Sequence, residues 1–412
     1  MSLWRHREFQ KWWWGQSVSL FGTQFTQLAL PLTAILNLHA GPAEMGLLVG
    51  LQAAPGLVFS LVAGIWLDRV RRKPILVGSQ LVAMASLASI PVAAFASVLS
   101  MTQLYVVALL IGSAATFTYI AQSSLLPALV GRPNLVDANA KYQTSMTVAQ
   151  IAGPGLAGLA VQRLTAPIAI AVDALSFLVG AASTAWTKVS EPAPAQVAAE
   201  RSVVKELAEG FRFVGAQPQF RAILLTLVVA NWGGWMQSAI FLLLFVSSIG
   251  LSPAQVGLTF AAASVFSLVG AQFASRLVSR FGVGVTMAGA ALLFALAKLV
   301  QIPAAYLPAG PAFAILLASS VGFAGLMVYN VNQQAIRGAV TPDGLLGRAN
   351  AAVHGLVIGG SVLFALLGGA LAQAIGLQTT FLISSVLVAC CAIPTLMPSL
   401  RRLKEVPQPA SG

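Results

Sequence analysis

Charge is what this chain has least of: 8% of its 412 residues are Asp, Glu, Lys or Arg, where an ordinary soluble domain carries roughly 25%. Carboxylates number only 11, histidines three and cysteines two. The cysteines, Cys390 and Cys391, are adjacent, which rules out an ordinary intrachain bridge or a metal site. They read as small lipid- or core-facing side chains. No group of His, Cys, Asp and Glu has metal-ligand spacing, and no nucleophile stands with a base. An enzyme, a metal and a bound cofactor are therefore not expected. A cleavable leader is not expected either: the first apolar stretch is too long, and no small-residue cleavage site follows a short hydrophobic core.

What the chain has in quantity is apolar surface, 58% of its residues. It comes in blocks of about 20, the length that crosses a hydrocarbon core as a helix with its backbone polar groups satisfied internally. Twelve blocks are predicted, at 12–38, 44–67, 74–97, 101–127, 134–162, 166–187, 220–249, 252–277, 283–306, 311–336, 345–375 and 378–398. The segment from Ser190 to Gln219 is polar, with an amphipathic stretch through Val203, Leu207, Phe211 and Phe213 that predicts a helix on the membrane surface. Four parts result: a first six-helix bundle (1–189), a linker with a surface helix (190–219), a second bundle (220–400) and a disordered tail (401–412). The fold class expected is an all-α membrane protein of twelve transmembrane helices in two pseudo-symmetric six-helix bundles.

The symmetry is written in a repeat. Residues 42–162 align with 253–373 at a constant offset of 211 and without a gap. Pro42, Ala43 and Gly46 stand over Pro253, Ala254 and Gly257, Gln122 over Gln333, and Ala138-Asn139-Ala140 over Ala349-Asn350-Ala351. Two equivalent membrane bundles with a substrate site between them, near the bilayer midplane, are the architecture that such duplication implies.

The net charge of +12 is a topology signal. With the N-terminus inside and the spans alternating, 21 of the 23 basic residues face the cytoplasm, and only Arg163 and Lys298 do not. Nucleic acid is excluded as a partner, and the bilayer takes its place. Both termini are expected in the cytoplasm of a bacterial inner-membrane protein, and the chain is expected to be a monomer. Trp12, Trp13 and Trp14 beside Lys11 read as an interfacial anchor, and Lys298 as a lysine snorkelling to the outer interface. Ser252-Pro253-Ala254-Gln255 is a capping box, and Gly41-Pro42-Ala43-Glu44 is its first-half copy, which makes Glu44 a cap.

At the end of the second span stands Gly64-Ile65-Trp66-Leu67-Asp68-Arg69-Val70-Arg71-Arg72-Lys73. Topology explains its arginines; Asp68 needs a cation or a helix N-terminus to meet. The stretch resembles the signature loop of the major facilitator superfamily, with Arg71 where the loop glycine usually stands. The resemblance covers all twelve spans. It implies that Asp68 locks a cytoplasmic gate against the Arg348 region, with Arg69 beside it in the gate loop and Arg72 with Asp137 a second pair. Gly153-Pro154-Gly155-Leu156-Ala157-Gly158 resembles the antiporter motif of drug-exporting facilitators; a plain packing seam is its alternative. Asp137-Ala138-Asn139-Ala140, Asp173-Ala174-Leu175-Ser176-Phe177 and Glu209-Gly210-Phe211-Arg212-Phe213 are together similar to the subgroup of enterobactin exporters and macrolide efflux proteins.

Polar groups within apolar spans are costly in lipid and should face a bundle interior. Gln24 and Gln27 of span one, Tyr119 and Gln122 of span four, Asn231 and Trp235 of span seven, and Tyr329, Asn330 and Gln333 of span ten are the substrate-cavity candidates. Interhelical hydrogen bonding is the alternative reading of each. The resemblance implies that these four spans line the cavity and that the proton gradient supplies the energy. The titratable candidates for coupling are Asp173 and His354. An interfacial hydrogen bond or a pair with Arg163 is the alternative reading of Asp173. A secondary transporter exporting amphipathic small molecules by alternating access is the function expected. A lysophospholipid flippase and a non-transporting receptor or scaffold are the alternatives.

Overall fold

A computed structural model describes Leu3, residues 6–67, residues 71–189, Glu191 and residues 203–405. The described residues are helical almost throughout. The first half holds α1 (Arg7–Leu38), α2 (Pro42–Leu67), α3 (Arg72–Phe95), α4 (Met101–Val130), α5 (Leu135–Leu164) and α6 (Ala166–Trp186). Then come α7 (Val203–Ala216), α8 (Pro218–Leu242), α9 (Pro253–Phe281), α10 (Val283–Val300), α11 (Ala309–Ser319), α12 (Gly322–Val340), α13 (Asp343–Ile375), α14 (Leu377–Ala389) and the short α15 (Pro398–Arg401). A π segment, Leu243–Ser248, prolongs α8, and α11 and α12 form one long apolar segment broken near Ser320.

Among the described residues, ten helical segments are long and apolar enough to cross a membrane. α1 and α5, with 32 and 30 residues, have the length but carry more polar side chains. Much of that polarity is turned inward: Gln16, Ser17, Ser19 and Thr26 of α1 and Ser145 of α5 are buried. Ser17 donates to the Ser145 hydroxyl at 2.9 Å, so these two helices satisfy each other.

The contacts of the chain cluster into two units: Met1–Ala199 with Ser252–Ala261, and Glu200–Leu251 with Ala262–Gly412. In the first, α1 lies on α6 along Gly15 and Gly22, which sit seven residues apart on one helix face. A β-carbon on Gly22 would come within 2.0 Å of the Ser176 hydroxyl oxygen and 2.6 Å of Asp173 Oδ1. Gln16 ties the seam to α3, donating to Thr184 at 3.1 Å and accepting from Gln80 at 3.0 Å. Trp12 is fully buried and stacks on Tyr142 at 5.9 Å, while Trp14 is 61% exposed. The expected interfacial triplet is therefore split: Trp12 is a core residue, because the helix carries it inward against α5.

The expected capping boxes form. Ser252 and Gln255 exchange reciprocal bonds at 2.9 and 3.3 Å, and the Glu44 carboxylate accepts from the Gly41 amide at 2.7 Å. In the second unit, the Trp232 ring lies on Gly360 and stacks on Phe364 at 4.8 Å. A β-carbon on Gly325 would come within 2.3 Å of the Ala290 carbonyl oxygen, which fixes α12 closely against α10.

The start and the end of the linker are held separately. Glu191 accepts from the Arg72 and Lys73 amides at 2.6 and 2.9 Å, so a carboxylate supplies the N-terminal cap that α3 lacks locally. Glu8 accepts from the Lys188 amide at 2.6 Å and from Lys11 at 2.8 Å. The Lys11 ammonium, and behind it the Lys188 amide, hold the Glu8 carboxyl below the usual carboxylate range. At the other end, α7 lies on the start of α13: Gly210 meets the Arg348 carbonyl, and Glu209 pairs with the Arg348 guanidinium.

Candidate functional site

Three of the nine cavity candidates meet in one pocket of the second unit. It has a volume of about 200 Å³ and lies among α8, α10, α12 and the 3₁₀ segment Cys390–Leu396. Its polar lining is Thr226, Asn231, Tyr329 and Asn330, and its apolar wall includes Leu227, Phe294 and Leu326. Asn231 is set by a bond from its amide nitrogen to the Leu227 carbonyl on its own helix, at 2.8 Å. That bond leaves the amide oxygen of a side chain on the pocket wall. Tyr329 is buried and donates to the Ile223 carbonyl at 3.5 Å, a long contact across to α8. The pocket thus offers amide and hydroxyl groups within an apolar wall, which suits an amphipathic ligand.

The other candidates lie elsewhere. Gln333 is buried and accepts from Arg337 at 3.2 Å, and Arg337 also donates to Asn350. Its first-half counterpart Gln122 is buried too, and accepts from the Tyr142 hydroxyl at 3.3 Å. Gln24 is half-buried, its side chain against Gly153 of α5. Gln27 is exposed, Tyr119 is 77% exposed and Trp235 is half-buried outside the pocket wall.

The motif Gly153, Pro154 and Gly158 forms a close seam inside the first unit. A β-carbon on Gly158 would come within 2.4 Å of the Pro253 carbonyl oxygen, and one on Gly257 within 2.3 Å of that of Pro154. Small residues on both sides let the backbones touch.

Of the gate candidates, Asp68 and Arg69 lie outside the described residues, and with them the pairing of Asp68 to the Arg348 region. Arg348 is engaged by Glu209 of α7. Asp137 pairs with Lys141 on its own helix at 3.8 Å, and Arg72 holds Glu191 through its backbone amide.

Asp173 and His354 differ in setting. Asp173 is 1% exposed, accepts from the Ser176 hydroxyl at 2.9 Å and has Thr26 of α1 beside it. Arg163, its alternative partner by sequence, is exposed at the end of α5. His354 is exposed on α13.

Lys298 corrects the sequence reading. It does not snorkel: its ammonium turns into the second unit, donating to Gln237 at 2.7 Å and Gln301 at 3.5 Å. The Phe294 and Phe323 rings stand 5.6 and 5.5 Å from it, so oxygens and ring faces together replace water around the cation. Gln237 passes the network on to Ser385 at 3.0 Å and Gln301 to Ser319 at 3.0 Å. The signal that could have found this was a lysine three residues before a glutamine inside an apolar helix.

With this geometry established, comparison with known proteins decides the family. The family model of the Major Facilitator Superfamily matches residues 12–251 and again residues 223–412. This chain belongs to the Major Facilitator Superfamily. It is a multi-pass membrane transporter and not an enzyme. It is 28% identical to the multidrug efflux pump Tap of Mycolicibacterium fortuitum, over 94% of this chain and 95% of that protein. It is 24% identical to the enterobactin exporter EntS of Citrobacter koseri over 99% and 96% of the two chains. Identity to macrolide efflux protein A of Streptococcus pyogenes is 21%, over 97% of each. Among solved structures, the nucleoside transporter NupG shares the fold with a TM-score of 0.74 at 13% identity, covering 95% of this chain and 99% of that one.

Proposed function

We propose that this facilitator exports amphipathic small molecules from the bacterial cytoplasm by alternating access, driven by the proton gradient. The observation that carries this reading is the full-length likeness to proteins named for drug, macrolide and enterobactin export. The pocket of Asn231, Tyr329 and Asn330 supports it, because a few polar groups in an apolar wall suit a ligand with both characters. The distribution of basic residues supports an inner-membrane protein with both termini in the cytoplasm.

In this reading the two units divide the work. The second holds substrate at its pocket. The first carries the proton on Asp173, a carboxyl group enclosed by α1 and α6 whose near neighbours are hydroxyls. An intramembrane acid of this kind can take up and release one proton as water reaches it from alternate sides. The gate residues Asp68, Arg69, Arg72, Asp137 and Arg348 would set which side is open.

The test is efflux from proteoliposomes of a macrolide, a catecholate siderophore, a cationic dye and a lysophospholipid, with and without an imposed pH gradient. Gradient-dependent movement of any of the first three, changed in profile by Asn330→Ala, supports the reading. Movement of lysophospholipid alone, indifferent to the gradient, contradicts it.

A further inference from the structure

A second cavity lies outside all of these residues. It is an apolar groove of about 510 Å³ on the second unit, among α9, α10 and α12. Along α9 it runs from Val269 to Phe281. Those thirteen residues of helix rise about 18 Å, close to one leaflet of a hydrocarbon core ~30 Å thick. Its rim is exposed: Phe273 is 48%, Phe281 52% and Val285 52% accessible. In a membrane-spanning unit such a rim faces acyl chains. Two glycines shape the groove: Gly289 faces open space, and a β-carbon on Gly270 would come within 2.3 Å of the Ala324 carbonyl oxygen, which closes the floor between α9 and α12. Gly270 and Val328 stand where the repeat places Phe59 and Phe117, whose rings pair in the first unit at 4.9 Å.

Two arginines of α9, one helical turn apart in sequence, border the groove through rings that line it. Arg276 lies over the Phe273 ring at 5.5 Å and Arg280 over Phe281 at 5.4 Å. Among the described residues, neither guanidinium has a carboxylate within ion-pair distance. The C-terminal segment joins the groove near Phe281, and here the expectation of disorder from residue 401 is corrected: Val283 and Gly284 donate their amides to the Lys404 and Leu403 carbonyls at 3.2 and 2.8 Å, which pins the chain through Lys404. That brings Arg401, Arg402 and Lys404 close by, against the single acid Glu405.

We propose that this groove is a binding site for an anionic phospholipid of the cytoplasmic leaflet. One acyl chain lies between α9 and α10, and the phosphate is held by Arg276 and Arg280. Charge complementarity selects the headgroup, since guanidinium groups bind phosphate through paired N–H donors. The depth of the groove matches one leaflet, which selects a lipid over a soluble ligand. A basic pocket between spans at the cytoplasmic interface is the arrangement that recognises anionic headgroups. The site is separate from the pocket at Asn231 and does not depend on what the protein transports.

The experiment uses the purified full-length protein in detergent, titrated with phosphatidylglycerol or phosphatidylcholine of identical acyl chains. Thermal unfolding and native mass spectrometry of retained lipid are the readouts. Phosphatidylglycerol should raise the midpoint and be retained, and phosphatidylcholine should do neither. Arg276→Gln with Arg280→Gln should weaken phosphatidylglycerol binding about thirtyfold, from the loss of two basic groups at the interface. Gly289→Leu keeps the charges but fills the groove, and should also lose retention while unfolding normally in phosphatidylcholine. Equal response of the wild type to both lipids would overturn the proposal, and so would full phosphatidylglycerol retention in both variants. Displacement of the lipid by ethidium, with the arginine pair irrelevant, would make the groove a substrate entrance and overturn it equally.

Discussion

The two halves of this chain share a repeat and bury different ionisable groups, an acid in one and a base in the other. At the offset of 211 residues, the repeat places Leu87 over Lys298. The first unit encloses an acid between α1 and α6, with Ser176 and Thr26 around it. The second encloses a base on α10, met by Gln237 and Gln301 and flanked by two phenylalanine rings. Duplication preserved the helix scaffold but not the polar position inside it. The acid is left with hydroxyl neighbours, the setting that the proposed proton-carrying role requires. The base is held by amide oxygens and ring faces and so serves as a structural tie. The same divergence separates Gln122, held by a neutral phenol, from Gln333, held by a guanidinium. It also separates a first unit filled by Phe59 and Phe117 from a second unit with an open groove.

This contrast breaks most sharply at the two charges. Asp173→Asn should reduce gradient-driven efflux to background while leaving the unfolding midpoint and substrate binding near those of wild type. Lys298→Met should do the reverse, keeping measurable efflux but losing about 2–3 kcal/mol of stability, because charge-assisted bonds vanish and two amide oxygens stay buried. Reversed phenotypes, read by proteoliposome flux and thermal unfolding of the same preparations, would break the division of labour.

The next comparison is between glycines. Gly158→Leu forces a side chain against the Pro253 carbonyl and should cost about 1–3 kcal/mol as overpacking. Gly289→Leu projects into open space and should stay within roughly 0.5 kcal/mol of wild type. Detergent-unfolding curves separate the two. The repeated glutamines sharpen the contrast further. Gln333→Ala strips a partner from Arg337 and should cost about 1.5–3 kcal/mol, whereas Gln122→Ala loses a neutral bond worth about 1 kcal/mol. Equal costs would remove the distinction. The smallest effect belongs to Glu8, whose carboxyl is held low by Lys11 and the Lys188 amide. A depressed carboxyl adds stability above the ordinary carboxylate range and loses it as the pH falls through its folded-state value. The Glu8→Gln protein should therefore match wild type in acid and be slightly less stable at neutral pH.

Much of the fold was legible because its signals are local or periodic. The apolar blocks, the capping boxes at Gly41 and Ser252 and the gapless repeat each follow from the chain itself, and helices form at those places. Asn231, Tyr329 and Asn330, three of the nine polar candidates, line one pocket, since polar side chains in apolar spans must find an interior. What failed needed facing directions and partners distant in sequence. Lys298 sits near a helix end, where a snorkelling lysine is the usual reading, yet its closest acceptor is Gln237, on another helix. Trp12 sits next to Trp13 and Trp14, but helix rotation buries it and exposes Trp14. Arg348 was legible as a cation at the start of α13. Its partner Glu209 comes from the linker helix, whose register no local pattern fixes.

The measurement closest to the central claim is gradient-driven efflux by the wild type and by Asp173→Asn in matched proteoliposomes, for whichever substrate of the panel the wild type moves. The account expects flux that follows the imposed pH gradient in the wild type and substrate binding without gradient-driven flux in the variant. Flux that ignores the gradient, or an Asp173→Asn protein that pumps as well as wild type, would contradict it.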